Sequence, residues 1–332
     1  MKVLFNTNYK SAGTKVCVED LSQKFARAGH SISFNDWGGY MDHNLALFMA
    51  PDSKIREAKK ANPKILCGLM DPKMSTKKNE LEARAADFLI VSSIEQRDFF
   101  LKYNKNIFIY YMFPDVPAFS KTHSQKDKII IGYHGNKQHL DAMADVSWAL
   151  DELAKNHNIE LWAIYNIEKL GKWTQNCPSV CTVKHIQWFE ESLIENLKVC
   201  DIGVAPSLIP AGKFFTHPLL ARLWNPVGYS KNDYVSRYKM SNNPGRLYVF
   251  SQMGIPVVAD FTPSAGQMIQ DGVSGRLVGT PEGWKYAIEE LIRDSEKRNE
   301  MSQNLQKFIH ENCSPDKNFE TLMKNIKILH GQ

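Results

Sequence analysis

The sequence predicts an α/β protein made of two successive doubly wound, Rossmann-like units facing one another across a cleft. Three observations lead there. Short apolar runs alternate with helical segments along the whole chain, the pattern of a parallel sheet covered on both faces. The alternation stops once, in the polar, proline-bearing stretch PDVPAFSKTHSQKD (114–127), and then restarts. The 332 residues exceed what one small core needs and suffice for two domains. These place a first unit at 1–115, a linker at 116–127 and a second unit at 128–314.

In chain order, KVLFNT is a strand, NYKSAGTKV a glycine-containing loop, CVEDLSQKFARAG a helix stopped by Gly29, and HSISF a second strand. LALFMA, KILCGLM, DFLIVSS and NIFIYYM continue the sheet, separated by helical segments such as SKIREAKKA and IEQRDFFLKY. After the linker, KIIIGYHGN is a strand running into a glycine turn, and HLDAMADVSWALDELAKN one long amphipathic helix. IELWAIYN, CTVKHIQW, DIGVAPS, PVVAD and GRLVG are further strands. EESLIENLKVC and the run from EGWKYAIEEL to FIHENC are helical, and PDKNFETLMKNIKILH closes the chain.

Composition excludes several classes. With 43% hydrophobic and 23% charged residues the chain is a folding sequence, not a disordered one. No apolar run reaches the roughly 18 residues of a membrane span, and MKVLFNTNYK is too short in its apolar part for a secretion signal. A cytoplasmic protein is expected. The six cysteines are scattered without a C-x-x-C pair, and Cys177, Cys181 and His185 lack a fourth ligand, so reduced thiols and no metal are expected. The net charge of +5 resides in the first 127 residues, which hold 19 Lys and Arg against 14 Asp and Glu. KIREAKKANPK and DPKMSTKK supply much of it: a solvated helix face, or a patch that attracts an anionic membrane surface. Nucleic acid is not expected, because the basic residues do not alternate with a stacking face.

Three segments leave the carboxyl ends of expected strands, where ligands sit in such sheets. The first holds Gly13, which fits either a close backbone approach by phosphate or sugar or plain turn chemistry. The second is GYHGNK, where Gly132 and Gly135 permit close approach and His134, Asn136 and Lys137 can donate to an oxyanion. The third runs from DIGVAPS to the helix opening in SNNPGRLYVFSQMG. It is long, basic and aromatic-rich, with Lys213 near its start, and HPLLARLW reads as a short helix within it. Asn243 suits the helix cap, Pro244 the first helical position, and Gly245 and Arg246 follow. A cation in a first turn opposes the macrodipole by about 0.3–1 kcal/mol, which an anion lying between them would reverse. No D-x-D, Walker A, G-x-G-x-x-G or G-x-S-x-G sequence occurs, which removes metal–diphosphate, P-loop, dinucleotide and α/β-hydrolase chemistry.

The order WFEESLIENLKVCDIGVAPS, a loop, then GRLYVFSQMGIPVVADFTPSAGQMIQDGVSGRLV resembles the second domain of GT-B glycosyltransferases, above all retaining family 4, the glycosyl transferases group 1. SAGTKVCVEDLSQKFARAGHSISF is similar to that family's first glycine loop and helix, and ADFLIVSSIEQRDFF to its AD-strand-S segment. The resemblance implies a GT-B fold, with the final helix, 315–332, packing back on the first unit. It implies a nucleotide-diphosphate sugar in the second unit, a glycan or lipid-linked saccharide acceptor in the first, and no metal or other cofactor. It carries over Lys137, Ser241, Asn242, Asn243 and Arg246 as diphosphate ligands, with Gly132, Tyr133, Gly135, Asn136 and Gly245 around them and Lys213 as a supplementary cation. His134 is the candidate beside the sugar or phosphate. Asp71, after KILCGLM, is either an acceptor ligand or a helix cap before Pro72. The chain departs from the family at its E-x7-E pair, which falls on Ser241 and Val249, and at an arginine that falls on Tyr133. Those departures keep a non-catalytic binding homologue in view beside the transferase, and, among GT-B enzymes, a phosphorylase or an epimerase.

Overall fold

The computed structural model describes residues 1–8, 12–73, 76–210, 236–238 and 243–331. Two compact units emerge: Met1–Val116 with Met240–Gly245 and Asn312–Gln332, and Pro117–Lys239 with Arg246–Glu311.

The first unit carries β1 (Lys2–Asn6), β2 (Ser31–Phe34), β3 (Leu45–Met49), β4 (Leu66–Met70), β5 (Phe88–Val91) and β6 (Ile107–Ile109). They form one parallel sheet in the order β2-β1-β3-β4-β5-β6. Side-chain alternation sends Val3 and Phe5 to one face, with Leu21, Phe25 and Tyr110, and Leu4 to the other, with Tyr40, Phe48 and Ile55. Burial on both faces is why these strands read as continuous apolar runs. The Pro315–Leu329 helix belongs here: Leu322, Met323 and Ile326 lie in the core beside Phe25 and Tyr110, and Asn318 exchanges hydrogen bonds with the backbone of Tyr111.

The second unit carries β7 (Ile129–His134), β8 (Ile159–Tyr165), β9 (Thr182–Gln187), β10 (Ile202–Ala205), β13 (Val257–Asp260) and β14 (Arg276–Val278). Its parallel sheet has the order β9-β8-β7-β10-β13-β14. A separate antiparallel pair, β11 (Leu208–Pro210) with β12 (Ser236–Tyr238), joins the two ends of the long basic stretch, which the sequence alone does not reveal. Two strand glycines admit neighbours. A Cβ on Gly203 would lie 2.7 Å from the Phe250 ring, and one on Gly132 2.7 Å from Cys200 Sγ. The Gly245–Gln252 helix therefore packs its Phe250 directly on the sheet backbone.

Several expectations change. The glycine loop is shorter, because helix already begins at Ala12 and runs through a π-type stretch, Lys15–Asp20, into Leu21–Arg27. The expected long helix after β7 is two, Lys137–Ala142 and Ala144–Ala154, broken at Met143. The expected run near the end is also two, Pro281–Arg293 and Ser295–Asn312, parted by extended Asp294. The 116–127 stretch is not loose. Lys121 Nζ donates to the carbonyls of Lys198 and Cys200, His123 Nε2 meets the Gly254 carbonyl at 2.8 Å, and Lys126 pairs with Asp201 at 2.6 Å. Buried Arg298 completes the seam, donating to the Leu291, Ile292 and Ser124 carbonyls.

Candidate functional site

In the second unit the strand order reverses between β7 and β10. Chains leaving such neighbouring strands diverge to opposite faces, and the crevice at their carboxyl ends is where doubly wound sheets bind ligands. Here those ends are Tyr133, His134 and Gly135 on one side and Pro206 and Ser207 on the other.

Arg246 fills the space between them. Its Nη2 donates to the Pro206 carbonyl at 2.7 Å and to Ser207 Oγ at 2.9 Å. Its guanidinium lies over the Tyr133 ring. Nη1 is buried and has no partner among the described residues. Burial lowers the arginine's pKa from its ordinary value, opposed by Tyr133 and Asp260. Leaving a charged donor unpaired in such a place costs free energy unless a ligand completes it. Gly135, at φ +143°, is held in a conformation other residues rarely adopt, and a Cβ there would stand 3.0 Å from the Tyr133 hydroxyl and 3.4 Å from Arg246 Cδ. A side chain would push on the arginine.

The other residues expected at the donor site have mixed fates. Gly132 is a packing glycine against Cys200. Tyr133 is fully buried, its hydroxyl donating to the Asn136 carbonyl at 2.8 Å. Asn136 caps the following helix, accepting from the Gln138 N–H at 2.9 Å. Lys137 is engaged by Asp141, 3.0 Å from both carboxylate oxygens, one helical turn on. His134 is buried: it packs edge-on against Phe250 at 5.0 Å, and its Nε2 has no partner among the described residues. Burial, reinforced by the Arg246 charge, pushes its pKa down to about 3, so the ring is neutral.

The helix opens at Gly245, and Asn243 does not show the expected capping bond; its amide donates instead to the Met112 carbonyl at 3.0 Å. Gly245 leaves a Cβ position 3.4 Å from that same amide. Lys213, Ser241 and Asn242 lie outside the described residues, as does the helix read in HPLLARLW.

In the first unit the strand order reverses between β1 and β3. There Asp52 accepts from Thr7 Oγ1 at 3.0 Å and from the Asn8 N–H at 2.6 Å. Asp71 follows directly after β4 with φ +46° and is no helix cap: Thr76 caps the helix that follows. The Asp71 carboxylate instead meets Lys73 Nζ at 2.9 Å and Gln96 Nε2 at 3.4 Å. Gly13 lies in the helical turn Ala12–Thr14.

Reasoning from the sequence missed Ser207, Asp260 and Trp284, which surround the arginine's anchor. Asp260 Oδ2 accepts from the N–H groups of Ser207 at 2.6 Å and Leu208 at 2.7 Å, and Oδ1 from Trp284 Nε1 at 3.0 Å. The available signal was an aspartate at the carboxyl end of an apolar strand, VVAD.

No protein-family model matches the chain, and no curated protein matches it. Solved structures do. The chain is similar to sucrose-phosphate synthase of Thermosynechococcus elongatus (TM-score 0.64, 11% identity, 100% of this chain and 99% of that one). It is similar to Anabaena HepE in complex with UDP (TM-score 0.62, 12% identity, 98% and 100%). It is also similar to the lipopolysaccharide outer core galactosyltransferase WaaB (TM-score 0.62, 13% identity, 98% and 99%). Against TarM it spans about half the other chain, 54%, at a TM-score of 0.56. At these identities the likeness is one of fold: the chain has the GT-B fold, with two Rossmann-like units.

Proposed function

We propose that the protein is a glycosyltransferase that moves a sugar from a nucleotide-diphosphate sugar to a glycan or lipid-linked saccharide acceptor, with retention of configuration and without a metal. The observation that carries the reading is Arg246, anchored through Nη2 at the strand-order reversal with Nη1 buried and unpartnered among the described residues. Support comes from a fold shared with HepE, which binds UDP, and with the galactosyltransferase WaaB.

In this reading the diphosphate accepts from Arg246 Nη1 and from the N–H groups at the start of the Gly245–Gln252 helix, whose dipole favours negative charge. As the bond from the sugar to the diphosphate breaks, charge grows on the leaving oxygen. Donors already oriented in a dry site stabilise that charge without reorganising. Lys137 reaches the anion only by exchanging Asp141. Val249, at the family's second glutamate position, is buried in the core, so ribose contacts come from elsewhere. Lys213, Ser241 and Asn242 remain proposed ligands, and the acceptor belongs at the carboxyl ends of the first unit's strands, near Asp71 and Asp52. The protein then works in the cytoplasm, at the inner face of the membrane when the acceptor is lipid-linked.

The buried Val249 and the engaged Lys137 favour one second reading, a homologue that binds nucleotide sugars without turnover. A thermal-shift panel of UDP-, GDP-, CDP- and ADP-sugars tests both, since a ligand bound only by the folded state raises the melting point. Transfer or slow hydrolysis of the stabilising donor, lost in Arg246→Ala, is expected. Stabilisation with no turnover on any acceptor would leave the second reading, and no stabilisation by any of them would remove both.

A further inference from the structure

We infer that Asp260 is a positioning residue for Arg246, setting the guanidinium through the turn at Ser207 so that one face is held and the other is left for an anion. The inference deepens the proposed donor site and rests on it for its functional meaning, though its geometry stands alone.

Asp260 is the last residue of β13, which runs parallel to β10 with Ala259 opposite Ala205. Its side chain thus stands beside the point where the chain leaves β10. One oxygen takes two successive backbone N–H groups, those of Ser207 and Leu208, and the other takes the Trp284 indole. The turn gripped in this way presents two acceptors outward, the Pro206 carbonyl and the Ser207 hydroxyl, and both receive Arg246 Nη2. The relay runs Trp284, Asp260, Ser207, Arg246.

Three donors converge on Asp260, and only a carboxylate accepts all three without offering a hydrogen in return. The charge is expensive to keep there. Asp260 is only 5% exposed, and burial pushes its pKa up to about 6 despite the amide donors. It has no ion pair among the described residues, while its charge raises the pKa of Arg246. A carboxylate also polarises the turn whose oxygens hold the arginine, and it balances that cation while the anion site is empty.

Isothermal titration of the full chain with UDP and with uridine tests the inference in Asp260→Asn, in Arg246→Ala and in the double variant. In Asp260→Asn, UDP affinity falls about tenfold, the size of one charge-assisted hydrogen bond, and uridine affinity stays the same. In the Arg246→Ala background the same change adds no further loss, because the two act as one unit. Equal affinity of Asp260→Asn and the parent for UDP, or a full second loss in the double variant, overturns the inference. Should Asp260→Asn fold poorly, Ser207→Ala removes one link of the relay without touching the buried carboxylate, and the same pattern, smaller, is expected. A readout independent of ligand separates failure of the inference from failure of the donor-site reading. In side-chain nitrogen-15 spectra, Arg246 shows restricted Nη2 rotation in the parent and averaged Nη signals in Asp260→Asn and Ser207→Ala. Unchanged Arg246 signals overturn the positioning role even where UDP binds; restriction lost in the variants upholds it even where UDP does not.

Discussion

The Arg246 guanidinium lies 5.8 Å from the centroid of the Tyr133 ring. Tyr133 occupies the position where the family that the sequence resembles carries an arginine. In this chain a cation reaches the β7 turn from another element, the first turn of the Gly245–Gln252 helix. The ring is the floor beneath it.

That floor has a measurable value. A cation over an aromatic face contributes about 0.5–1 kcal/mol at exposed sites and about 2 when desolvated. Tyr133→Leu is expected to weaken UDP binding several-fold by calorimetry. Tyr133→Phe, which keeps the ring and loses only the bond to the Asn136 carbonyl, should bind within about twofold of the parent. Equal losses in the two variants would assign the effect to the hydroxyl.

Stability should fall as the solution is acidified below pH 6.5. Burial holds His123 at about 4 and His134 at about 3, both below the ordinary 6.5. Between those values and 6.5 the unfolded chain takes up protons that the folded chain refuses, so each histidine destabilises the fold as pH drops through that window. Asp260 acts in the opposite sense: raised to about 6, it binds a proton in the folded state that the unfolded aspartate takes only near 3.8. The two histidines outweigh Asp260 there, so stability falls as pH drops from 6 toward 4; the lowered His30 and His185 add to that fall, and the raised Asp20 opposes it. Urea unfolding at pH 7 and pH 5 checks it, and His123→Gln should flatten the dependence.

Gly203→Ala places a methyl 2.7 Å from the Phe250 ring. Overpacking of this kind costs about 1–3 kcal/mol. The melting point should drop by several degrees, and a shortened partner, Phe250→Leu, should restore part of it in the double variant.

Charge reversal at Lys60 and Lys64, both exposed on the first unit, tests attraction to membranes. If an anionic surface docks there, co-sedimentation with vesicles containing phosphatidylserine falls with each reversal by about the 1 kcal/mol a basic residue contributes, and falls in high salt. Equal co-sedimentation of parent and variant would make the surplus an ordinary solvated face. Among the described residues no helix is long and apolar enough to cross a bilayer.

Much of the architecture was legible because its signals are local. Runs such as LALFMA and VVAD mark strands buried on two faces, and Thr76, Ser93 and Thr280 cap helices where their hydroxyls meet N–H groups. Arg246 announced itself through a local conflict, a cation in a first turn. Its surroundings did not, because they depend on strand order. Nothing near Asp260 says that β13 lies beside β10, so the grip on Ser207, 53 residues earlier, could not be read. Met143 and Asp294 end helices without glycine or proline, and no periodicity rule flags them. Lys137 looked available because its partner Asp141 was counted only as part of a helix face.

The stitching of residues 117–128 decides how the molecule can be dissected. A chain begun at Ile129 would strip the carbonyls of Lys198 and Cys200, at the end of the Glu190–Lys198 helix, of Lys121 and leave the Arg298 guanidinium without Ser124. Anyone wishing to crystallise the second unit alone should cut before Pro117, where that unit begins, and so keep these contacts.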